Sequence, residues 1–440
     1  MNLWSSVNTE NAGRLSQLPM RATTRPIGID LFAGAGGMSL GFEQSGFDIV
    51  ASVDYDPIHC ATHEFNFPSC ATICRSVTEI NGEYIRDTAG IGKRDIDVVF
   101  GGAPCQGFSL IGKRALDDPR NALVHHFVRL VSELKPKYFV FENVRGLTIG
   151  EHKRFLEEIM QAFRSAGYKV EENYRVLNAA DYGVPQDRRR LFLMGARKGY
   201  GLPEYPKPTH VRPDGEQMLT FIRKTPTVME AIGDLPEAED FEILLERDWV
   251  YTSFGKPSKY ASSLRRLNEK QNGLELLSSS LRTIHTELSK RRFKETKPGA
   301  VEPISRFLKL DPNGISNTLR AGTATDRGAF TSPRPIHPYS PRCITVREAA
   351  RLHSYPDWFR FHVTKWHGFR QIGNSVPPFL ARAVASKVIE KLGAPILKTE
   401  RIRRSDVDLL ELDMSGAALK YGVESTVIPA RTRKVYHAHA

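Results

Sequence analysis

Short apolar runs alternate with longer stretches of helical spacing through residues 26–200. The apolar runs are four to six residues long and predict β-strands at residues 27–32, 48–53, 97–100, 138–141 and 190–194. Strands that alternate with helices in this way are typical of βαβ units. The pattern therefore predicts an α/β fold with a parallel sheet that helices cover on both faces.

Three prolines within residues 202–209 interrupt this pattern, as a linker or domain edge would. Helical spacing returns further along the chain, where Thr345 and Glu348 have the spacing of a capping box and a second helix is predicted from Phe379 to about Leu392. The predicted segments are a tail at 1–25, a first domain at 26–200, a separate region at 201–334, a return to the first domain at 335–397, and an extension at 398–440 with little apolar pattern and no assigned role.

The composition is that of a folded protein without membrane segments. With 440 residues, 40% of them hydrophobic, the chain can bury one large core or two. Its apolar runs are far shorter than the roughly 20 residues that cross a bilayer, and residues 1–25 lack the apolar core of a signal peptide. We therefore expect a cytoplasmic protein with no membrane partner. Its five cysteines are expected to be reduced thiols.

Charge is unevenly distributed along the chain. The 62 Lys and Arg against 50 Asp and Glu give a net charge of +12, which favours a polyanionic partner. Residues 251–340 carry 16 Lys and Arg against 7 Asp and Glu, whereas residues 201–250 carry 5 against 11. The stretch 251–340 is therefore the expected place of contact with a phosphate backbone.

Glycines cluster where the first strand turns into a helix, at positions 34, 36, 37 and 41. Such glycines let the backbone approach a ligand closely. Asp54 ends the second strand, 20 residues after Gly34, where a carboxylate can accept hydrogen bonds from ribose hydroxyls. The pair predicts a nucleoside-containing cofactor, either a dinucleotide or S-adenosylmethionine. Ser39 occupies the place of the third glycine of a dinucleotide fingerprint, which favours a cofactor without a pyrophosphate.

A thiol and a carboxyl follow two neighbouring predicted strands. Cys105 comes after paired glycines and Pro104, beyond the strand at 97–100. A thiol at a strand end is a candidate nucleophile, although an arbitrary cysteine is more often a small buried hydrophobe. The next strand ends in Glu142, and adjacent parallel strands would bring this carboxyl close to Cys105. A buried glutamate in that place can stay protonated and donate a hydrogen bond, whereas a solvated one would merely cap the strand.

Three arginines precede the last predicted strand, within Gln186-Asp-Arg-Arg-Arg. Strand alternation would direct Arg188 and Arg190 to one face and Arg189 to the other. A simple charged strand edge is the alternative interpretation.

These groups together match the chemistry of methylation at C5 of cytosine. C5 is too poor a nucleophile to take a methyl group until a thiolate has added to C6. An acid at N3 stabilises the charge that this addition places on the ring, and loss of the C5 proton later releases the enzyme.

Six ordered motifs run along the chain: Asp30-Leu-Phe-Ala-Gly-Ala-Gly-Gly, Pro104-Cys-Gln, Phe141-Glu-Asn-Val, Gln186-Asp-Arg-Arg-Arg, Arg347-Glu-Ala-Ala-Arg-Leu and Gln371-Ile-Gly-Asn-Ser-Val. Together they closely resemble the DNA (cytosine-5)-methyltransferase family of bacterial restriction–modification systems. The resemblance implies an α/β, Rossmann-like sheet that binds S-adenosylmethionine, formed by residues 26–200 and 335–397. It also implies that a smaller target-recognition domain is inserted at 201–334.

The resemblance further implies roles for individual residues. Cys105 is the nucleophile, Glu142 is the partner of cytosine N3, Arg188 binds the flipped cytosine, and Arg190 supports the site. Ser76 departs from the family, which commonly has an acid there for the adenine amino group, but a hydroxyl can accept the same hydrogen bond. No metal is implied. The residues implied at the cofactor site are Phe32, Gly34, Gly36, Gly37, Asp54, Asn374, Ser375 and Val376.

The resemblance implies double-stranded DNA as the partner. It implies a second possible partner, a restriction endonuclease that acts on the same DNA site. The implied location is the nucleoid of the cytoplasm. A cytosine inside a duplex must be flipped out to reach the thiol, and the basic loop after Cys105 is placed to help. Eight cations are candidates for guanine or phosphate contacts: Arg265, Arg266, Lys270, Arg282, Arg291, Arg292, Arg320 and Arg327.

Other interpretations fit the sequence less well. A tRNA cytosine-5 methyltransferase would use the same chemistry, but the Cys-Phe-Thr signature of that group is absent. A nucleic-acid-binding module without catalysis is disfavoured by the joint presence of Cys105, Glu142 and Arg188, and a nicotinamide-dependent oxidoreductase leaves Cys105 without a role. A zinc site is also disfavoured. It would be built from His59, Cys60, His63, Cys70 and Cys74, and the Cys-x3-Cys spacing is unusual for zinc.

Overall fold

The structure, a computed structural model, describes residues 25–104, 122–150, 152–215, 222–322, 334–395 and 405–428. Eight strands form one sheet in the order β3-β2-β1-β4-β5-β8-β6, with β7 beside β8. The strands are β1 Ile27–Leu31, β2 Asp48–Asp54, β3 Ala71–Cys74, β4 Val98–Gly101, β5 Tyr138–Val144, β6 Tyr168–Val170, β7 Arg175–Asn178 and β8 Arg189–Arg197. The helices between them are α1 Gly37–Ser45, α2 Pro57–Asn66, α3 Gly82–Thr88, α4 Ala122–Leu134 and α5 His152–Ser165. The predicted α/β sheet is confirmed.

Side chains of successive strand residues pack alternately into two cores, one on each face of the sheet. Val98, Phe100 and Val140 belong to a core that includes α1, whereas Val99 and Phe139 belong to a core formed with α3, α4 and α5. Strands that are buried on both faces have continuous apolar runs. This double burial is the reason that apolar runs located them in the sequence.

One strand contradicts the expectation of parallel pairing throughout the sheet. The strands β1 to β5 pair in parallel, but β8 runs antiparallel to β5, β6 and β7. The chain returns from β7 to β8 through residues 179–188, which are too few for the helical crossover that joins parallel neighbours. The strands β6 and β7 contain polar residues and were not predicted.

The chain after the sheet forms short elements. Strands β9 His210–Val211 and β10 Arg223–Lys224 pair with each other, and β11 Val250–Thr252, β12 Lys270–Gln271 and β13 Leu274–Leu277 form a three-stranded sheet. The helices here are α6 Val228–Ile232, α7 Lys259–Arg265 and α8 Glu287–Glu295. Two ion pairs tie these elements to the later part of the chain: a buried one with Arg351 Nη1 at 2.9 Å from Asp234 Oδ1, and a half-buried one with Arg342 Nε at 2.6 Å from Glu237 Oε1. A partner of a buried ion pair is costly to remove, so these contacts fix the region in place.

The last helices return to the sheet; they are α9 Val346–Leu352, α10 Lys365–Asn374, α11 Pro378–Leu392 and α12 Met414–Tyr421. The predicted capping box is present, with Thr345 and Glu348 each accepting from the backbone N–H of the other. Helix α11 lies against α1, where a Cβ at Gly41 would come within 2.5 Å of Ala381 Cβ. Gly41 therefore serves close helix packing. In the described residues, no helix combines the length and the apolar content needed to cross a membrane.

The C-terminal extension contains a packed segment that its polar sequence did not predict. Leu409 and Leu410 form a small core with Phe65 of α2. The Tyr421 hydroxyl donates to Glu64 Oε2 at 2.7 Å. Residues 405–428 therefore cover the outer side of α2, so this part of the chain belongs to the fold.

Candidate active site

The turn after β1 exposes backbone at the end of the sheet. Phe32, Gly34 and Gly36 have φ values of 63°, 55° and 99°, in the left-handed region that favours glycine. The Gly34 N–H donates to Asp54 Oδ2 at 2.8 Å. No described atom lies within 4 Å of the place where a Cβ on Gly34 would stand. The turn is therefore open on the side where ligands bind in α/β sheets, outside the carboxyl ends of the strands.

Gly37 joins this turn to the segment that follows α10. A Cβ at Gly37 would lie 2.6 Å from the Val376 carbonyl oxygen and 2.8 Å from Ser375 Cβ, so the contact requires glycine. Asn374 ends α10 and is exposed. The structure thus brings the glycine turn together with Asn374, Ser375 and Val376 from the far end of the chain.

Asp54 closes the other side of the turn. Its Oδ1 accepts from the Asp56 N–H at 2.9 Å, and Asp56 caps α2 and pairs with Arg370. Burial raises the pKa of Asp56, but His59 and Arg370 outweigh burial and lower it to about 2. Tyr55 stands between the two carboxylates and is 44% exposed. It was not predicted as a site residue, although its position directly after Asp54 was a usable signal.

Ser76 lies just beyond β3, at the same edge. Its hydroxyl lies 2.8 Å from Thr78 Oγ1 and accepts from the Thr78 N–H at 3.2 Å. The hydroxyl therefore shapes the turn after β3 while Ser76 stays partly exposed.

A buried polar chain lies beneath the glycine turn. Asp30 Oδ2 accepts from the Ser39 N–H and hydroxyl at 3.1 and 2.6 Å, and the His63 ring nitrogens contact Ser39 Oγ at 3.1 Å and Ser52 Oγ at 3.2 Å. Burial raises the pKa of Asp30 to about 8 and lowers that of His63 to about 3. Ser39 is thus the partner of Asp30, and both nitrogens of His63 are occupied. Within the described ranges, no group of three or more His, Cys, Asp and Glu could hold a metal ion.

The chain that leads to Cys105 passes against Glu142. Strands β4 and β5 are parallel neighbours, as predicted. A Cβ at Gly102 would collide with Glu142 Oε2, and the Ala103 carbonyl accepts from Asn143 Nδ2 at 3.1 Å. Cys105 and the basic loop after it lie outside the described residues.

Glu142 and Arg190 form a largely buried ion pair, with Arg190 Nε at 2.9 Å from Glu142 Oε1. Val144 lies opposite Arg190 in the antiparallel pair of β5 and β8, so Glu142 and Arg190 are diagonal neighbours on one face. Burial raises the pKa of Glu142, and Arg190 and Arg188 offset part of the rise. The carboxyl therefore keeps its proton to a higher pH than an exposed glutamate and is suited to donate to a base.

Arg188 is placed differently from its prediction as a residue that binds cytosine. Its side chain is fully buried and donates to the carbonyls of Leu319 at 2.7 Å, Gly373 at 2.7 Å and Ser375 at 2.8 Å. Its Nε is buried without a hydrogen-bond partner in the described part of the chain. Because β8 begins at Arg189, strand alternation does not govern Arg188. Its guanidinium therefore holds two backbone segments, one at Leu319 and one at 373–375, beside the start of β8.

Gln186 and His353 support this arrangement and were not predicted as site residues. Gln186 Oε1 accepts from the Leu319 N–H at 3.1 Å, and its Nε2 lies 2.9 Å from His353 Nδ1. His353 Nε2 lies 3.2 Å from the Ser375 carbonyl oxygen. Burial lowers the pKa of His353, so the ring stays neutral. Only the folded chain shows that these residues meet.

The candidate DNA-contacting cations have different surroundings. Arg265 forms ion pairs with Asp234 and Glu275 at 3.0 and 2.5 Å, so it holds the fold. Arg320 is exposed and directly follows a residue that binds Arg188. Arg327 lies outside the described residues.

A family model described as C-5 cytosine-specific DNA methylase matches residues 27–390. The match includes the glycine turn, the Glu142–Arg190 pair and the segment Asn374–Val376. The chain belongs to this family. It is therefore a DNA (cytosine-5)-methyltransferase, which confirms the predicted enzyme class and leaves the tRNA alternative with less support.

Similar proteins agree with this family. The methyltransferase is 63% identical to the Type II methyltransferase M.XorII of Xanthomonas oryzae pv. oryzae over 421 residues, which cover 94% of this chain and 96% of the relative. It is 34% identical over 370 residues to the Type II methyltransferase M1.HphI of Haemophilus parahaemolyticus, with 82% and 86% covered. An E. coli prophage protein described as a DNA modification methyltransferase has a crystal structure with a TM-score of 0.69 and 34% identity, with 84% of this chain and 99% of that one covered.

Gly102→Ala is expected to lower the turnover number of the methyltransferase by at least about tenfold. The added methyl group would displace the Glu142 carboxylate, and small misplacements of a catalytic group are costly. The free energy of unfolding should fall by about 1–3 kcal/mol, the usual cost of an extra methyl group in a packed site. In a Glu142→Gln background the same substitution should cost much less activity, because coupled residues are not additive. Equal losses in both backgrounds would show that Gly102 acts independently of Glu142.

Proposed function

We propose that the methyltransferase transfers a methyl group from S-adenosylmethionine to C5 of a flipped-out cytosine in a specific duplex DNA sequence, through a covalent bond between Cys105 Sγ and C6. The observation that carries this proposal is the Glu142–Arg190 pair, which lies directly against the segment that leads to Cys105. An acid beside a thiol at a strand end is what this reaction requires.

The chain's own residues supply the proton and the nucleophile. The Cys105 thiolate adds its electron pair to C6, while the Glu142 carboxyl, whose pKa burial raises, donates a hydrogen bond to N3 and stabilises the resulting charge. Bound S-adenosylmethionine supplies the electrophilic methyl group that C5 accepts. A base then removes the C5 proton, and the electron pair that is released expels the Cys105 thiolate from C6.

We assign the position beside the base to Arg190 and a positioning role to Arg188. Arg190 already contacts Glu142 and retains donors for a cytosine oxygen. The terminal nitrogens of Arg188 are instead occupied by three backbone carbonyls, which order the turn at Ser375 and the segment at Leu319 around the site.

The residues around the glycine turn fit S-adenosylmethionine. The open face of Gly34 leaves room for a ligand against backbone. Asp54 is placed to accept from ribose hydroxyls, and the exposed ring of Tyr55 and the hydroxyl of Ser76 are placed for an adenine. Phe32, Gly36 and Gly37 would complete this wall with Asn374, Ser375 and Val376.

Target recognition is assigned to the region inserted at 201–334, between catalytic segments at 26–200 and 335–397. Arg320 is exposed and directly follows Leu319, whose carbonyl accepts from Arg188, so we expect it to contact DNA at the catalytic edge. The names of the Type II relatives support a restriction–modification role, with a cognate endonuclease acting on the same site in the nucleoid of the cytoplasm.

Incubation of the purified protein with methyl-labelled S-adenosylmethionine and either duplex DNA or tRNA tests the proposal. Label should enter the duplex as 5-methylcytosine and should not enter tRNA. Bisulfite sequencing of DNA from expressing cells should then show one methylated cytosine within one recurrent sequence. Label in tRNA, or methylation at another atom of the base, would contradict the proposal.

A further inference from the structure

A large cleft lies on one flank of the methyltransferase, between helices α1 and α11 and the inserted region. We call it the side cleft; its volume is about 2080 Å³, and Gln44, Lys259 and Arg382 are among the residues that line it. Pockets for small molecules have volumes of about 300–1,000 Å³. The side cleft therefore has room for an extended ligand.

The side cleft is separate from the catalytic edge. It is lined by Asp48 at the start of β2 and by Cys70 just before β3, whereas Asp54 and Glu142 lie at or near the carboxyl ends of their strands. At 3.2–3.4 Å per residue, Asp48 and Asp54 are roughly 20 Å apart. None of the residues assigned to catalysis or to the cofactor belongs to the lining. A ligand in the side cleft would leave the cytosine site free.

Cations dominate the lining of the side cleft. Its acidic residues are Glu43, Asp48 and Glu230, and the Glu230 carboxylate is occupied, since it accepts from the Thr227 N–H at 2.8 Å. Such an excess of positive charge in a cleft favours a polyanion. The lining cations are Arg25, Lys207, Arg223, Lys224, Lys259, Arg266, Arg382 and Lys387.

Most of these cations lack a counter-ion. Arg382 lies with its guanidinium 4.6 Å from the centre of the Phe379 ring, and burial lowers its pKa. Arg382 is otherwise exposed to the cleft, and a cation without a carboxylate partner in a positively charged cleft gains from binding an anion. In the part of the chain that the structure describes, the lining cations without an ion-paired carboxylate are Lys207, Arg223, Lys224, Lys259, Arg266 and Arg382.

Aromatic rings stand among the cations. Trp358 and Phe379 line the side cleft, and both are partly exposed. Grooves that combine cations with accessible aromatic rings bind single-stranded nucleic acids, because the cations contact phosphates and the bases stack on the rings. A duplex keeps its bases paired and stacked inside, so it cannot use these rings in the same way.

We propose that the side cleft is a second nucleic-acid-binding site, which binds a single strand through its phosphates and bases and is independent of the duplex DNA at the catalytic edge. The ligand is defined by its chemistry, a phosphodiester chain with unpaired bases. Single-stranded DNA and RNA share this chemistry, and the two can be separated by experiment.

The test uses the full-length protein and a fluorescent oligothymidylate of about 15 nucleotides, within the site sizes known for single-strand grooves. This probe contains no cytosine and forms no duplex. Arg223→Gln/Lys259→Gln/Arg382→Gln removes three cations of the side cleft. The matched control, Lys93→Gln/Lys135→Gln/Lys169→Gln, removes three cations that lie outside the lining.

Fluorescence anisotropy should show at least tenfold weaker binding for the cleft variant. The slope of log K against the logarithm of the salt concentration should become shallower by about two, since each lost phosphate contact on a single strand contributes about 0.7 to that slope. The control variant should bind as the wild type does. Methylation of duplex DNA should stay within about twofold in both variants, and excess target duplex should not displace the probe. An oligouridylate of equal length, run in parallel, shows whether RNA or DNA binds more tightly.

Three results would overturn the proposal: no binding of either oligonucleotide by the wild-type protein, equal losses in the cleft and control variants, or displacement of the probe by target duplex. The last result would mean that the duplex itself occupies the side cleft. A failure of the methylation assay would leave these binding outcomes unchanged, because the probe does not use the cytosine site.

Discussion

Cys105→Ser is expected to abolish covalent capture of duplex DNA that carries 5-fluorocytosine at the target position. The wild-type protein should remain attached to such DNA after denaturation, because fluorine at C5 cannot leave as a proton does and the bond between Cys105 Sγ and C6 persists. A serine hydroxyl is far less nucleophilic than a thiolate at neutral pH. Methyl transfer to normal DNA should fall by at least about a thousandfold. Gel electrophoresis under denaturing conditions measures the capture.

Cys343→Ser is the control for this experiment. Cys343 lies in a small core with Phe293 and Ile336, away from the catalytic edge, so its replacement should leave capture intact. A Cys105→Ser protein that still captured fluorinated DNA would show that another residue is the nucleophile.

Glu142→Gln is expected to slow methylation by about 10²–10⁴-fold, the usual contribution of a positioned general acid. Glutamine keeps the shape of the side chain but cannot protonate the base. Because burial raises the pKa of Glu142, the wild-type rate should fall on the alkaline side as pH rises through that pKa, whereas protonation of the Cys105 thiolate lowers the rate at low pH. The variant should lack this alkaline fall. Single-turnover rates measured across pH separate the two profiles.

Cofactor binding distinguishes a catalytic role of Glu142 from a structural one. Calorimetry should give the variant an affinity for S-adenosylmethionine within about twofold of the wild type, since Asp54 and the glycine turn are untouched. Glu172→Gln is the matched control, since it removes an exposed carboxylate that lies 3.5 Å from Arg164. It should leave the methylation rate and the affinity for S-adenosylmethionine unchanged. A large loss of cofactor affinity in Glu142→Gln would instead make Glu142 a scaffold residue.

Local patterns predicted the parts of the fold that depend on neighbouring residues. The runs at Ile27 and Tyr138 became buried central strands because such strands are apolar on both faces. The capping box at Thr345 formed because its two hydrogen bonds join residues three apart. Glu142 was predicted close to Cys105, since parallel neighbours place their ends together. Cys105 lies outside the described residues, and the collision that a Cβ at Gly102 would cause places Glu142 against the segment that leads to it.

Contacts between distant segments were harder to predict. The antiparallel direction of β8 depends on which neighbour it pairs with, and its own residues are as apolar as those of a parallel strand. The packing of Leu410 on Phe65 depends on a surface offered by α2, far away in sequence. Isolated apolar residues in a polar segment give no signal of such a surface.

Residues that are close along the chain were enough to predict the central strands β1, β2, β4 and β5, the capped helix α9, and a site with a thiol, a carboxyl and a glycine turn, because strands, caps and turns depend on neighbouring residues. Which of the two arginines pairs with Glu142 depends on contacts that form in the folded chain. Arg188 and Arg190 are equivalent in charge and two residues apart, but one donates to three backbone carbonyls and the other pairs with the carboxylate. That choice depends on carbonyls contributed by Leu319, Gly373 and Ser375, which meet Arg188 only after folding.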